Sequence, residues 1–165
     1  MKTEYLNTFK NFRVRTFAVL LLFVMQSVVA APFVSNSDNT VLDEATGLIW
    51  QKCSRGQDLN LFCSVTATAA TWAVALTYCN DLTLAGRTWR LPNINELKTV
   101  VDRSKPSGAT IDISVFPATV TGYYWSSSTY VPYTPYAWSV NFGDGSYYNN
   151  NKTTTNYVRC VSTGP

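Results

Sequence analysis

The chain has 165 residues, 14% of them charged and 14% aromatic, with four cysteines and no histidine. Without histidine there is no Ser-His-Asp or Cys-His nucleophilic site, and without histidine or a CxxC spacing the cysteines do not read as a metal site. The formal charge of +3 belongs to the start of the chain: nine Lys or Arg and nine Asp or Glu follow residue 30, so no net positive field recommends nucleic acid as a partner.

Residues 1–16 carry Lys2, Lys10, Arg13 and Arg15 against one acid, Glu4. An apolar run from Phe17 to Val29, interrupted by Gln26 and Ser27, leads into Val28-Val29-Ala30-Ala31-Pro32. This is the pattern of a secretory signal over 1–30, cleaved after Ala30. A spanning helix needs about 20 apolar residues, so an uncleaved anchor is the alternative, and no stable membrane span is expected after cleavage. The expected location is secreted, periplasmic or cell surface. Residues 31–40 read as a polar leader, and 41–165 as a single domain large enough for its own core.

Val41-Leu42-Asp43, Glu44-Ala45-Thr46-Gly47 and Leu48-Ile49-Trp50 read as strand, turn, strand. Asp43 and Glu44 are adjacent in that turn and are expected to be solvated, so they make no glycosidase pair. Cys53, Cys63, Cys79 and Cys160 follow a secretory signal, where disulfides are the default and three connectivities are possible. Trp72, Ala75, Leu76, Cys79 and Leu82 recur at helical spacing, with Thr71 as N-cap and Gly86 at the exit. A second helix starts at Asn93, with Pro92 before it and Glu96 three residues on as in a capping box; Ile94, Leu97, Val100 and Val101 form its buried stripe. Two such short helices need a sheet to cover them. Arg90, just before, is read as a buried arginine tying down backbone carbonyls.

Arg103–Thr110 is turn material. Between Thr121 and Cys160 there are eleven aromatics and only three charges, Asp144, Lys152 and Arg159. Trp138, Val140 and Phe142 alternate with Ser139 and Asn141, giving a strand with one apolar face, and Gly143-Asp144-Gly145 supplies a tight turn. Trp50, Trp72, Trp89, Trp125 and Trp138 are the expected structural core. Tyr130, Tyr133 and Tyr136 fall among prolines and threonines, and Tyr147 and Tyr148 run into Asn149, Asn150, Asn151 and Lys152. Tyrosine and asparagine on loops over a rigid scaffold make an adaptable contact surface, so these nine residues are the expected ligand-binding set.

The stretch from Thr71 to Asp102, TWAVALTYCNDLTLAGRTWRLPNINELKTVVD, is similar to the signature of the Lcl C-terminal-like domain. Thr46–Lys52, Ile111-Asp112, Phe116-Pro117, Tyr124–Ser127, Ala137-Trp138 and Tyr157–Val161 extend the resemblance over nearly everything after residue 36. It implies an α+β, C-type lectin-like fold: two short helices packed on a twisted antiparallel sheet with long C-terminal loops. In that fold a long-range bridge joins the first helix to the last strand, which implies Cys79–Cys160 and leaves Cys53–Cys63. The calcium tripeptides of sugar-binding C-type lectins, Glu-Pro-Asn and Trp-Asn-Asp, are absent, and no cofactor or metal is expected.

The reading that follows is an exported, non-catalytic module that binds a glycan or protein ligand outside the cytoplasm, in surface attachment. One alternative is a variable ligand-binding protein of a diversity-generating retroelement, for which such folds with Tyr-, Ser- and Asn-rich C-terminal segments are used. The other is an enzyme on a scaffold like that of the formylglycine-generating enzymes. Those use reactive cysteines, whereas these thiols are expected to be paired.

Overall fold

The computed structural model describes residues 33–59 and 62–163, so the expected signal over 1–30 lies outside the described residues. The chain is α+β, with two short helices and two antiparallel sheets. One sheet takes β1 (Phe33–Ser35), β2 (Thr40–Asp43), β3 (Ile49–Gln51) and β7 (Val161–Ser162) in the order β1-β2-β3-β7. The other is β4 (Tyr123–Thr129), β5 (Tyr136–Asn141) and β6 (Tyr147–Asn151), in chain order. Helix α1 spans Trp72–Asn80 and α2 spans Ile94–Thr99. The stretch 31–40, expected as a polar leader, contains strand β1. Phe33 packs edge-on against Phe116 with ring centroids 5.4 Å apart, and that burial recruits the segment to the sheet.

Local chemistry sets the boundaries. Asp43 is buried, not solvated as expected: its carboxylate accepts the Ala45 and Thr46 amides at 3.0 and 3.3 Å and the Thr46 hydroxyl at 2.6 Å, while Glu44 is exposed. Its charge is satisfied within the turn, which closes through Gly47 at φ 72°. Thr71 makes no side-chain cap; the Trp72 amide is instead taken by the Lys152 carbonyl at 3.1 Å. Helix α1 stops at Asn80, short of Leu82, and a separate 3-10 turn over Leu84–Gly86 follows. Asn93 caps α2, accepting from the Asn95 and Glu96 amides at 2.9 Å, while Glu96 accepts the Asn93 amide at 2.8 Å. Arg90 is half-buried, and among the described residues its guanidinium binds no carbonyl. It makes two 2.7 Å bonds to the Glu96 carboxylate, whose planar geometry matches its fork.

Alternation divides the interior in two. Val41, Trp50, Tyr124, Val140 and Val161 join one apolar cluster with Leu97 and Val100 of α2. Leu42, Ile49, Trp125, Ala137 and Cys160 join another, beside Ala75 and Cys79 of α1. Residues adjacent in a strand point to opposite faces, so both sheets are covered on both sides over these positions. Ile49 and Trp50, adjacent in β3, are both apolar and buried because both faces of that strand are covered. Bridges join Cys53 to Cys63 and Cys79 to Cys160, across sequence separations of 10 and 81 residues. Closing such loops removes unfolded-state entropy worth roughly 3 and 4.5 kcal/mol.

Trp50, Trp89 and Trp125 are buried, but Trp72 and Trp138, expected as core, are only half-buried. Trp72 sits at the first turn of α1. Helix α2 is six residues long, and its Leu97 shares a cluster with Val140 but not with Trp138, two residues back on the same face of β5.

Candidate functional site

The register of β5 with β6 sorts the C-terminal aromatics by face. Tyr136 pairs with Asn151, Trp138 with Asn149 and Val140 with Tyr147, so these six share one face. Val140 is covered by the α2 cluster, and beyond it the face opens. Tyr130 meets Trp138 edge-on at 5.1 Å and 89°, Trp138 meets Tyr147 at 6.0 Å and 62°, and Tyr133 lies tilted on Tyr136 at 5.1 Å. Tyr133 and Tyr147 are 58% and 52% exposed. Lys98 of α2 places its ammonium 3.7 Å from the Tyr147 ring centroid, at the border between the covered and open parts.

The other face is different. Ala137 pairs with Asn150 and Ser139 with Tyr148. Asn150 donates its amide to Ser139 Oγ at 2.9 Å, and that hydroxyl donates to the Tyr148 carbonyl at 3.0 Å. Lys152 lies 4.1 Å over the Trp72 ring and donates to Thr129 Oγ1 at 2.9 Å. The nine expected ligand residues therefore do not converge. Tyr130, Tyr133, Tyr136, Tyr147, Asn149 and Asn151 gather around Trp138. Tyr148 and Asn150 lie on the reverse, and Lys152 is half-buried and engaged. Several are strand residues, not loop residues as expected, because tyrosine suits a half-buried pleated surface. The alternation of Trp138 with Val140 and Phe142 predicts a core residue, yet the ring is half-buried. It lies outside the cluster that joins Leu97 of α2 to Val140, and a single strand's pattern does not carry that.

A family model for the Lcl C-terminal domain matches residues 39–162, which takes in both helices, both bridges and this sheet. The chain belongs to the Lcl C-terminal domain family. No curated protein matches the sequence. For this Lcl C-terminal domain, two disulfides fit export to an oxidising compartment. No helix among the described residues is long and apolar enough to cross a membrane.

The domain holds a buried cation to which sequence reasoning gave no role. Arg159, between Val158 and Cys160, is fully buried; its Nη2 donates to Thr119 Oγ1 at 2.9 Å and Ser54 Oγ at 3.2 Å. Ser54 shares a 3.0 Å hydrogen bond with the Tyr124 hydroxyl, which also accepts the Val120 amide. The guanidinium carbon lies 4.6 Å from the Phe116 ring centroid, while Nε and Nη1 have no hydrogen-bond partner among the described residues. Burial pushes its pKa down to about 10, against a smaller opposing pull from Tyr124. The signal available in sequence was a charge inside the apolar run YVRCV. The group joins the Cys53–Cys63 loop, the 116–119 turn and the last strand, which is a structural task.

A concavity of about 340 Å³ lies beside α1 between Ala73, Val74, Thr77, Tyr78 and Arg55. Arg55 lies 5.6 Å over Tyr78, and the Tyr78 hydroxyl accepts from Gln51 at 2.7 Å. Burial raises the Tyr78 pKa, with Gln51 and Arg55 pulling the other way, so the phenol is no base at neutral pH. Among the described residues no three carboxylates or thiols converge as a metal site.

Proposed function

We propose that the domain is an exported, non-catalytic binding module in surface attachment, and that it takes a glycan on the open half of the β4-β5-β6 sheet. The observation that carries this reading is the row Tyr130–Trp138–Tyr147, with Asn149 and Asn151 beside it on the same face. Sugar rings present weakly polar C–H faces edged by hydroxyls. Aromatic faces, electron-rich at the centre, take the C–H side, and amides can donate to and accept from the hydroxyls at the edge. Rings held by one another keep this surface preformed, which lowers the entropy cost of binding. A C-type lectin-like scaffold is our reading of the frame. It is supported by two helices preceding an antiparallel sheet, the Cys79–Cys160 bridge and the return of β7 to β3.

The test is a glycan array probed with the wild-type protein, followed by titration of any hit. Trp138→Ala and Tyr147→Ala are expected to weaken binding at least tenfold, whereas Tyr148→Ser, on the reverse face, leaves it unchanged. A hit bound equally well by folded Trp138→Ala overturns the assignment of the face, and an array with no hit overturns the glycan reading.

A further inference from the structure

The two sides of the three-stranded sheet are finished differently. Along β4, the Trp125 amide bonds the Tyr157 carbonyl at 3.0 Å, the Tyr157 amide bonds the Tyr123 carbonyl at 2.8 Å, and the Ser127 amide bonds the Pro92 carbonyl at 2.7 Å. That side is covered. Strand β6 is the last strand on the other side.

The phase of its ladder follows from the bonds that flank it. Asn141 donates to the Ser146 carbonyl at 2.8 Å and Lys152 to the Pro135 carbonyl at 2.9 Å, so even-numbered β6 residues turn their backbone groups toward β5. Tyr147, Asn149 and Asn151 therefore turn theirs away. The Asn151 carbonyl is taken by the Thr154 amide and hydroxyl at 2.9 and 2.8 Å. No described residue bonds the outward groups of Tyr147 or Asn149.

Natural edges are usually protected by a charge, a proline or a bulge. Tyr147–Asn151 has no charged residue and no proline, and its pairing with β5 runs without a register shift.

We infer that β6 pairs antiparallel with β6 of a second copy of this chain, about a two-fold axis through Asn149. This register sets Asn149 opposite Asn149 of the second copy, and the two exchange N–H and C=O bonds. Each Asn151 amide then reaches the Tyr147 carbonyl across the axis, the one outward pairing that the Thr154 contacts leave free. Side chains fall amide against amide at the centre, Tyr147 against Asn151 on one face and Tyr148 against Asn150 on the other. No like charges meet, and the contact is closed because both partners use the same edge. This self-complementarity selects a second copy over an unrelated extended peptide.

The two three-stranded sheets become one of six strands. A two-fold perpendicular to the sheet puts both Trp138 rows on the same side. Where the glycan reading holds, the dimer is bivalent and gains avidity for repeating ligands. The pairing itself does not depend on that reading.

The experiment is sedimentation velocity of the protein as recovered from cells, over a wide concentration range. The expected result is a reversible monomer–dimer equilibrium in wild type that Asn149→Lys, placing two ammonium groups at the axis, abolishes. Asn149→Cys, oxidised and mapped by non-reducing peptide analysis, is expected to give a dimer linked at that position, since paired Cα atoms there lie about 5.5 Å apart. Asn151→Cys is expected not to link, because its copies lie about 13 Å apart at the rise of a strand. A wild-type protein monomeric throughout, a dimer that survives Asn149→Lys, or equal linking at both cysteines each overturns the inference. If Asn149→Lys does not fold, the cysteine pair decides it.

Discussion

The two ends of the β4-β5-β6 sheet carry the same kinds of side chain in opposite surroundings. At the inner end Tyr124, Trp125, Val140 and Phe142 are fully buried, and Arg159 lies 4.6 Å over Phe116 and 5.9 Å over Tyr124. At the outer end Trp138 and Tyr147 remain open, and Lys98 lies 3.7 Å over Tyr147. The ring–cation geometry is alike; access to water is what differs. Lys98 is half-buried, so its ammonium over the ring gains about 0.5–1 kcal/mol or somewhat more and keeps water on its free side. The inner cation has lost its hydration, and among the described residues two of its nitrogens find no hydrogen-bond partner in exchange. Aromatic content by itself therefore says little about role. The covering decides it: α2, six residues long, lies over Val140, and the cluster beside α1 encloses Trp125.

The largest separation between the ends is expected from tryptophan truncation. Trp125→Ala removes a ring that is buried and bonded through Nε1 to the Ala70 carbonyl at 2.8 Å, so a loss of about 3–5 kcal/mol is expected in urea unfolding. Trp138→Ala removes a half-buried ring with aromatic neighbours, and about 1–2 kcal/mol is expected, since partial burial scales the transfer term down. Equal losses at the two positions would show that the outer row is core after all.

Arg159 gives a smaller and less intuitive contrast. Replacing an unpaired buried charge by an apolar side chain of similar length removes its desolvation cost, and such exchanges are often neutral or stabilising by about 1–4 kcal/mol. Its two hydroxyl partners are not orphaned, because Ser54 keeps Tyr124 and Thr119 donates to the Phe116 carbonyl at 2.8 Å. Arg159→Met is thus expected to keep or raise the thermal midpoint, whereas Arg159→Ala lowers it by leaving a cavity. A clear fall for Arg159→Met would mean that the guanidinium is held by more than these two bonds.

Much of this frame was readable from the chain, and the reasons are specific. The capping box at Asn93 and Glu96 is local, so a few residues suffice to define it. The strand–turn–strand over 41–50 likewise carries its turn chemistry within it. What escaped reading depends on distant covering. The arginines show it: Arg90, expected to be buried, is half-buried against Glu96, while Arg159, to which the sequence assigned no role, is the buried one. Nothing within a few residues of either states how much structure will lie above it. The expected binding set failed to converge for a related reason. A run such as Tyr147–Lys152 looks uniform in sequence, but a strand sends alternate residues to opposite faces.

The smallest expected effect concerns α2, the helix that divides the covered end from the open one. Burial alone would raise the Glu96 pKa, but the bonds from the Arg90 side chain and the Asn93 amide outweigh it and hold the pKa below the ordinary 4.5. A carboxyl with a depressed folded pKa stabilises the fold fully above its unfolded value and loses that contribution as pH falls through the folded one. The Glu96 contribution should therefore be complete at pH 5 to 7 and decline below about 4.5. Because the pair is part-exposed, with side-chain exposures of 40% for Arg90 and 18% for Glu96, its worth is about 0.5–1 kcal/mol, discounted for screening. Glu96→Gln keeps an oxygen for the Asn93 amide but loses the charge. Its urea midpoint should lie slightly below wild type at pH 7 and approach it at pH 3. If the gap stays constant across that range, the contribution of Glu96 is geometric, and α2 holds the border without help from its charge.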